Sequence, residues 1–231
     1  MERFKVNGNQ IKLFACISML IDHIGLNFFR GTPWYYYFRV FGRLAFPLYL
    51  FLLVEGALHT KDRKMYLGRL LFFALLSEIP FNLGTRGKLL APEKQNVLWT
   101  LALVLVCIWV LEWAVREGYQ PLYMMSAGAV VFLALTAAEL MHTDYRSIGV
   151  ASGLAIYVLH RYRPLNVIFS VFILCLSVWW EIAAIVTALP AAICYDGTRG
   201  KAGKWTKWAF YAFYPVHFLI LWGIRQRIMG A

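Results

Sequence analysis

An all-α, polytopic bundle of about nine transmembrane helices is the fold this sequence predicts, and three observations carry the prediction. Hydrophobic residues fill 61% of the 231 positions and charged residues only 15%, where soluble domains carry about 25% charge. Apolar runs of the length needed to cross a hydrocarbon core of about 30 Å recur along the whole chain. The lysines and arginines, which leave a net charge of +11, collect in short segments between those runs. Topology in a membrane accounts for them, and nucleic acid is not an expected partner. Residues 1–231 leave no room for a separate soluble domain and read as one bundle.

Taken in order, a polar N-terminus, Met1 to Gln10, leads into a first helix expected over 11–29 and retained, since no small-residue cleavage site follows. A second helix is expected over 38–57, kinked by Pro47, whose ring frees a backbone carbonyl beside Arg43. Further helices are expected over 65–83, 96–114, 122–140 and 145–160. The run Leu165 to Tyr195 is too long for one ordinary span and carries Trp179, Trp180 and Glu181 at its middle, so it divides there into two short helices. A last helix is expected over 206–224. Basic residues before the first helix, in Lys61 to Arg69, at Arg161 and Arg163 and in Arg199 to Lys207 then share one side. The positive-inside rule makes that side, and the N-terminus, cytoplasmic in a multi-pass cell-membrane protein, with Arg86, Lys88, Arg225 and Arg227 against it.

Within these spans the ionisable residues are few, and each is costly enough to need a reason. Asp22 and His23 sit inside the first run. Lys12 and His23, eleven residues apart, lie on one helical face roughly 16 Å apart along the axis. Asn27 is one turn beyond His23 on the same side, and Asp22 is rotated toward a neighbouring helix. Glu78, Pro80 and Asn82 repeat the pattern of a carboxylate followed by a break, and with Asn96 and Thr100 are expected to meet Arg43 inside the bundle; an interhelical Glu78–Arg43 ion pair that only fixes packing is the plainer account. Near the C-terminus, His217 follows Tyr214-Pro215, a second imidazole in a span. Helices 1, 2, 3 and the last are therefore expected to enclose one cavity holding His23, Arg43, Glu78 and His217, with the fifth helix, which has nothing ionisable from Leu122 to Ala138, at the periphery.

Other features point to structure or to a surface. Gly149 and Gly153 form a small-xxx-small face for close helix packing, and Asp144 is placed to cap the following helix. Glu55 and His59 share a face but are too few for a zinc site, and the four cysteines form no Cys-x-x-Cys pair, so no metal is expected. The glycine-rich basic loop Asp196 to Lys204 is suited to phosphates through its amides and through Arg199, Lys201 and Lys204, or to anionic membrane lipid; it has no Walker spacing.

The order of Ile21-Asp22-His23-Ile24-Gly25, Gly42-Arg43-Leu44-Ala45-Phe46-Pro47, Glu55-Gly56, His59-Thr60, Tyr66 with Arg69, Glu78-Ile79-Pro80-Phe81-Asn82, Asn96-Val97-Leu98, Tyr195-Asp196-Gly197-x-Arg199-Gly200 and Phe213-Tyr214-Pro215-x-His217 resembles the TraX family over nearly the whole chain. That family is named for a protein that acetylates the N-terminus of F-pilin and is grouped with acyltransferase-3 membrane enzymes. Those carry an [Arg/Lys]-x10-His signature in their first helix, which Lys12 and His23 match. Where TraX-like chains often have Asn-Gly-x-Arg-Gly, this one has Asp196.

The resemblance implies a membrane acyltransferase that moves an acetyl group from acetyl-CoA to a hydroxyl or amine on a pilin-like peptide, glycan, lipid or small molecule. In that reading Lys12, Arg69 and the Arg199–Lys204 loop hold the coenzyme's phosphates, with Arg43 a further cation for the donor. His23 is the general base, Asp22 fixes its tautomer, Asn27, Arg43 or Asn82 stabilises the oxyanion, and His217 positions the acceptor. Direct transfer and an acyl-histidine route both fit. A transporter or flippase, or a noncatalytic scaffold, would also hold polar residues at depth.

Overall fold

The computed structural model describes residues 5–177, 179–201, 203 and 205–230. Helix α1 (Gly8–Phe28) starts earlier than its apolar run because Asn7 caps it. The Asn7 side chain accepts from the N–H groups of Asn9 and Gln10, both at 3.1 Å, and the Gln10 side chain accepts from Asn7 N–H at 2.9 Å. Amides that would otherwise lack partners are thereby satisfied.

The second expected helix is two, α2 (Trp34–Gly42) and α3 (Ala45–His59), and the break precedes the proline. Pro47 lies in the first turn of α3, where no N–H is needed. Its effect is felt four residues back, at Arg43, whose carbonyl the missing N–H would have bonded. The chain passes through Arg43 and Leu44 as a tight turn (ψ −18° and −23°), with Leu44 N–H bonding the Phe41 carbonyl at 3.3 Å. The kink expected beside Arg43 is thus a full break there, between two helices.

α4 (Arg63–Arg86) begins at an Asp62 cap, runs through Pro80 without the expected break, and ends at Gly87, left-handed at φ 71°. α5 (Val97–Arg116) is capped by Asn96, and α6 (Pro121–Leu140) starts at a proline. α7 (Arg146–Val158) is followed by α8 (Leu165–Cys175), a 3₁₀ segment (Trp179–Ala184) and α9 (Ile185–Cys194), dividing the long run where the tryptophans predict. α10 (Thr206–Met229) closes the bundle. Taking α2 and α3 as one bent rod, the described residues form nine α-helices, and five rods are long and apolar enough to cross a membrane.

α3 is the most enclosed helix, buried from Ala45 to Ala57 except at the half-buried Tyr49 and Gly56, and α1, α5, α7, α8 and α9 pack against it. α6 buries only Ala127, Ala134 and Ala138, the peripheral position expected of it. Gly149 and Gly153 bring α7 against Thr100 and Val104 of α5. Asp144 does not cap α7; its side chain pairs with Lys94 at 2.8 Å, and Tyr145 enters the helix left-handed at φ 63°.

Two glycines set the approach of α1 to α2. A Cβ on Gly42 would lie 2.1 Å from Asp22 Cβ, and one on Gly25 would lie 2.3 Å from Phe38 Cβ. Neither neighbour is a flexible chain end, so the helices would have to separate. Gly42→Ala is expected to cost about 1–3 kcal/mol and to displace Asp22; a melting midpoint equal to wild type would show that α2 moves freely.

Candidate functional site

Two imidazoles from opposite ends of the chain meet in the bundle. His23, on the inner face of α1, and His217, buried on α10 one turn beyond Phe213, lie with Nδ1 of the first 2.8 Å from Nε2 of the second. His217 Nδ1 is 2.9 Å from the Phe213 carbonyl, which can only accept, so Nδ1 carries that ring's proton and Nε2 holds a lone pair. His23 Nδ1–H must then donate to His217 Nε2. By elimination the unprotonated nitrogen of His23 is Nε2. The helix carbonyl of Phe213 thus sets the tautomers of both rings, and Phe218 packs against both.

His23 lines a cavity of about 570 Å³ at the end of the bundle where α1 and α4 finish. Its wall is rich in charge held in pairs. Asp22 accepts from Arg39 at 2.5 Å, Arg86 meets Glu93 at 2.7 Å, and Lys94 meets Asp144 at 2.8 Å. Burial works to raise the Asp144 carboxyl, but Lys94 beside it and the arginines nearby outweigh that and hold it below the usual carboxylate range. Arg43 reaches Glu181 at 3.3 Å and the Tyr145 hydroxyl at 3.0 Å. Among the described residues, Arg43 Nε and Asp22 Oδ1 on this wall are buried without a hydrogen-bond partner, as is Oε2 of Glu181, which pairs with Arg43 from off the wall; this leaves hydrogen-bonding capacity at the wall.

A second cavity, about 450 Å³, opens at the other end, among the start of α1, the end of α3 and the starts of α4 and α10. Lys12, Arg69, Arg199 and Lys207 line it, and none of the four is paired with a carboxylate among the described residues. Glu55 is on its wall too, but that carboxylate is bound by Arg163. Lys12 lies over the Phe210 ring at 5.8 Å.

The sequence-predicted residues divide accordingly. Lys12, Arg69 and Arg199 come together, and Asp22, His23 and Arg43 come together with His217 behind them. Arg43 lies in the His23 cavity, at the other end from Lys12, and does not join the cation cluster. Asp22 is engaged by Arg39 and stands 3.9 Å from His23 Nε2, so the tautomer-fixing role expected of it falls to His217. Asn27 folds back onto the His23 carbonyl at 2.8 Å and is off the cavity wall.

Glu78 is also off it, accepting from Asn96 and from Trp99 Nε1 at 3.2 Å; the ion pair expected between Glu78 and Arg43 is made by Glu181 instead. Asn82 is buried against the Leu89 carbonyl at 3.4 Å, tying down the loop after α4. Lys201 is exposed and lines neither cavity, and Lys204 lies outside the described residues. The glycine-rich loop is stitched to the N-terminus, its Thr198 and Arg199 carbonyls accepting from Gly8 N–H and Asn9 N–H. Asp196 accepts the Thr198 amide at 2.7 Å, so that amide is not free for phosphate. Arg39, Asp144, Tyr145 and Glu181 were not singled out for the site; the buried charge of Glu181 inside a long apolar run was the available signal.

A family profile described as TraX protein matches residues 7–225. The chain is 38% identical over 108 residues to the "Probable fimbrial assembly protein FimC, serogroup H1" of Dichelobacter nodosus, which covers 43% of this chain and 44% of that protein. The chain thus spans less than half the length of that curated relative. No solved structure matches.

Proposed function

The chain belongs to the TraX family, and we propose that it is an integral membrane acyltransferase that moves an acetyl group from acetyl-CoA to a hydroxyl or amine. The observation that carries the reading is the lone pair on His23 Nε2 in an open, polar cavity, its tautomer fixed through His217. That is the geometry of a general base, the ring oriented from behind and its free nitrogen turned to the reactant.

The donor is assigned to the other cavity. Four cations without carboxylate partners suit the phosphates of coenzyme A, and apolar walls suit its pantetheine arm. The name of the Dichelobacter nodosus relative favours a pilin-like peptide as acceptor. The distribution of lysine and arginine supports a cytoplasmic N-terminus, which puts the cation cluster on the side where acetyl-CoA is found.

The test is release of CoA thiol from acetyl-CoA by purified protein, followed by CoA binding to the same sample. Neither activity nor binding would leave a transporter or a scaffold. Lys12→Ala and Arg199→Ala are each expected to raise the KM for acetyl-CoA about tenfold, ~1.4 kcal/mol of binding, and more steeply as salt is lowered in the wild-type comparison. A fall in kcat at constant KM would contradict the assignment.

A further inference from the structure

The lining of the His23 cavity is unbalanced in charge. Six lysine and arginine side chains reach it against three carboxylates, Asp22, Glu93 and Asp144. Each carboxylate already holds a cation: Asp22 holds Arg39, Glu93 holds Arg86 and Asp144 holds Lys94, while Glu181 holds Arg43 from off the wall. Arg30 and Lys88 are left with no carboxylate partner among the described residues. Both are exposed, Arg30 just past the end of α1 and Lys88 just past the end of α4, so together they mark the mouth of the cavity.

Arg30 is built into place. Its side chain folds back along α1, with Nε donating to the Leu26 carbonyl at 2.9 Å and Nη2 to the Thr85 carbonyl at 3.4 Å. Both carbonyls belong to last turns, of α1 and of α4, so one guanidinium ties two helix C-termini and meets the negative end of each dipole. Neutral carbonyls orient the cation without cancelling it, and among the described residues three of its five N–H groups stay available. Leu26 is three residues past His23, so the guanidinium is held about one helical turn, roughly 5 Å, farther along the axis than the base.

Membrane topology gives no reason for this surplus. With the N-terminus cytoplasmic, as proposed above, the C-terminal end of α1 is the end that the positive-inside rule depletes of lysine and arginine, and Arg86 and Lys88 run against it. Arg86 is answered by Glu93, whereas Lys88 has no such partner. A fixed guanidinium and an ammonium at one mouth attract an oxyanion, the guanidinium through its remaining Nη hydrogens and the ammonium as a point charge.

We infer that the acceptor bound beside His23 carries an oxyanion, a carboxylate or a phosphate, which Arg30 and Lys88 hold at the cavity mouth while the acceptor's amine or hydroxyl reaches His23 Nε2. The inference rests on the acyltransferase reading above and adds the chemical class of the second substrate. The two groups of such an acceptor lie a few bonds apart; a dipeptide, at about 3.5 Å per residue, spans the distance.

The test uses the full chain in detergent micelles and two matched pairs of probes. One pair is alanyl-glutamate and alanyl-glutamine, both amidated at the main-chain carboxyl; the other is O-phosphoethanolamine and ethanolamine. The members of a pair share the amine and differ in the oxyanion. Binding is followed by calorimetry, and transfer by thiol release from acetyl-CoA. The anionic member of at least one pair is expected to bind about tenfold tighter than its neutral partner, the low end for a hydrogen bond to a charged group, with the advantage shrinking as salt is raised. The pair that shows it assigns the anion as carboxylate or as phosphate.

Lys88→Gln should remove most of that advantage and Lys88→Glu reverse it, while Lys88→Arg keeps it. Arg227→Gln, on α10 and off the cavity wall, should leave it as it was. Arg30→Gln should cost as much as Lys88→Gln; since Arg30 also ties α1 to α4, the exposed Lys88 decides the matter where that variant fails to fold. Equal binding of both members in both pairs, by protein that releases thiol from acetyl-CoA, would overturn the inference alone. An anion preference unchanged in Lys88→Gln and Arg30→Gln would also overturn it, placing the oxyanion elsewhere. Anion-selective binding by protein that binds no CoA and releases no thiol would overturn instead the acyltransferase reading beneath it.

Discussion

Replacing His23 by alanine is expected to lower acyl transfer by about 10²–10⁴-fold, the usual contribution of a positioned base, while CoA binding stays near wild type. The expectation follows from the relay of partners. The Phe213 carbonyl orders His217, and His217 orders His23, so that Nε2 of His23 is left free at the cavity. When that nitrogen takes a proton, the Nδ1–H bond to His217 strengthens, because the donor is then charged.

The variant removes the proton acceptor and leaves the distant cation cluster untouched, which predicts a fall in kcat with little change in KM for the donor. The His23 cavity is open to solvent, so added imidazole should restore part of the rate, an effect that a merely structural histidine would not give. His217→Gln keeps an oxygen able to accept from His23 Nδ1–H and should be milder than His217→Phe, which leaves that N–H buried and unpaired. Full activity in His23→Ala, or equal loss in the two His217 variants, would remove the base assignment.

The meeting of these two histidines was legible in the sequence because an imidazole in a span is costly, and two of them lower that cost by sharing a site. The cluster of Lys12, Arg69 and Arg199 was legible for a related reason, through the spacing along α1 and the basic loops at one side. What sequence could not separate was a polar residue facing a cavity from one serving the backbone of a neighbour. Glu78 and Asn82 are polar residues inside an apolar span, as Asp22 is. One holds Asn96 and Trp99 at the start of α5 and the other holds the loop carbonyl of Leu89. The position of the break at Arg43 was legible from Pro47, because a proline acts on the carbonyl four residues earlier, whereas its completeness, two helices in place of one kinked helix, was not. Glu181 marks the division between two short helices in the sequence, but its ion-pair partner Arg43 comes from a distant part of the chain and no spacing rule links them.

Glu181→Ala carries the largest expected loss of stability. The Glu181 side chain is only 1% exposed, and its ion pair with Arg43 joins the 3₁₀ segment to the break between α2 and α3. Removing one member of a buried pair strands the other, which typically costs about 3–5 kcal/mol. Among the described residues, Arg43 would keep the Tyr145 hydroxyl as its hydrogen-bond partner and would lose its ion-pair partner.

The measurement is the midpoint of thermal aggregation in detergent, which should fall for Glu181→Ala well below that of Glu181→Gln, whose amide oxygen can still accept from the guanidinium. The double substitution Arg43→Met with Glu181→Leu removes both charges and should recover most of the lost stability, because a pair replaced by apolar groups of similar volume leaves nothing stranded. It should nonetheless transfer acetyl poorly, since the cavity wall beside His23 would have lost its guanidinium. A double variant that is both stable and fully active would show that Arg43 serves packing alone; a single Glu181→Ala variant as stable as wild type would show that the pair is solvated and contributes little.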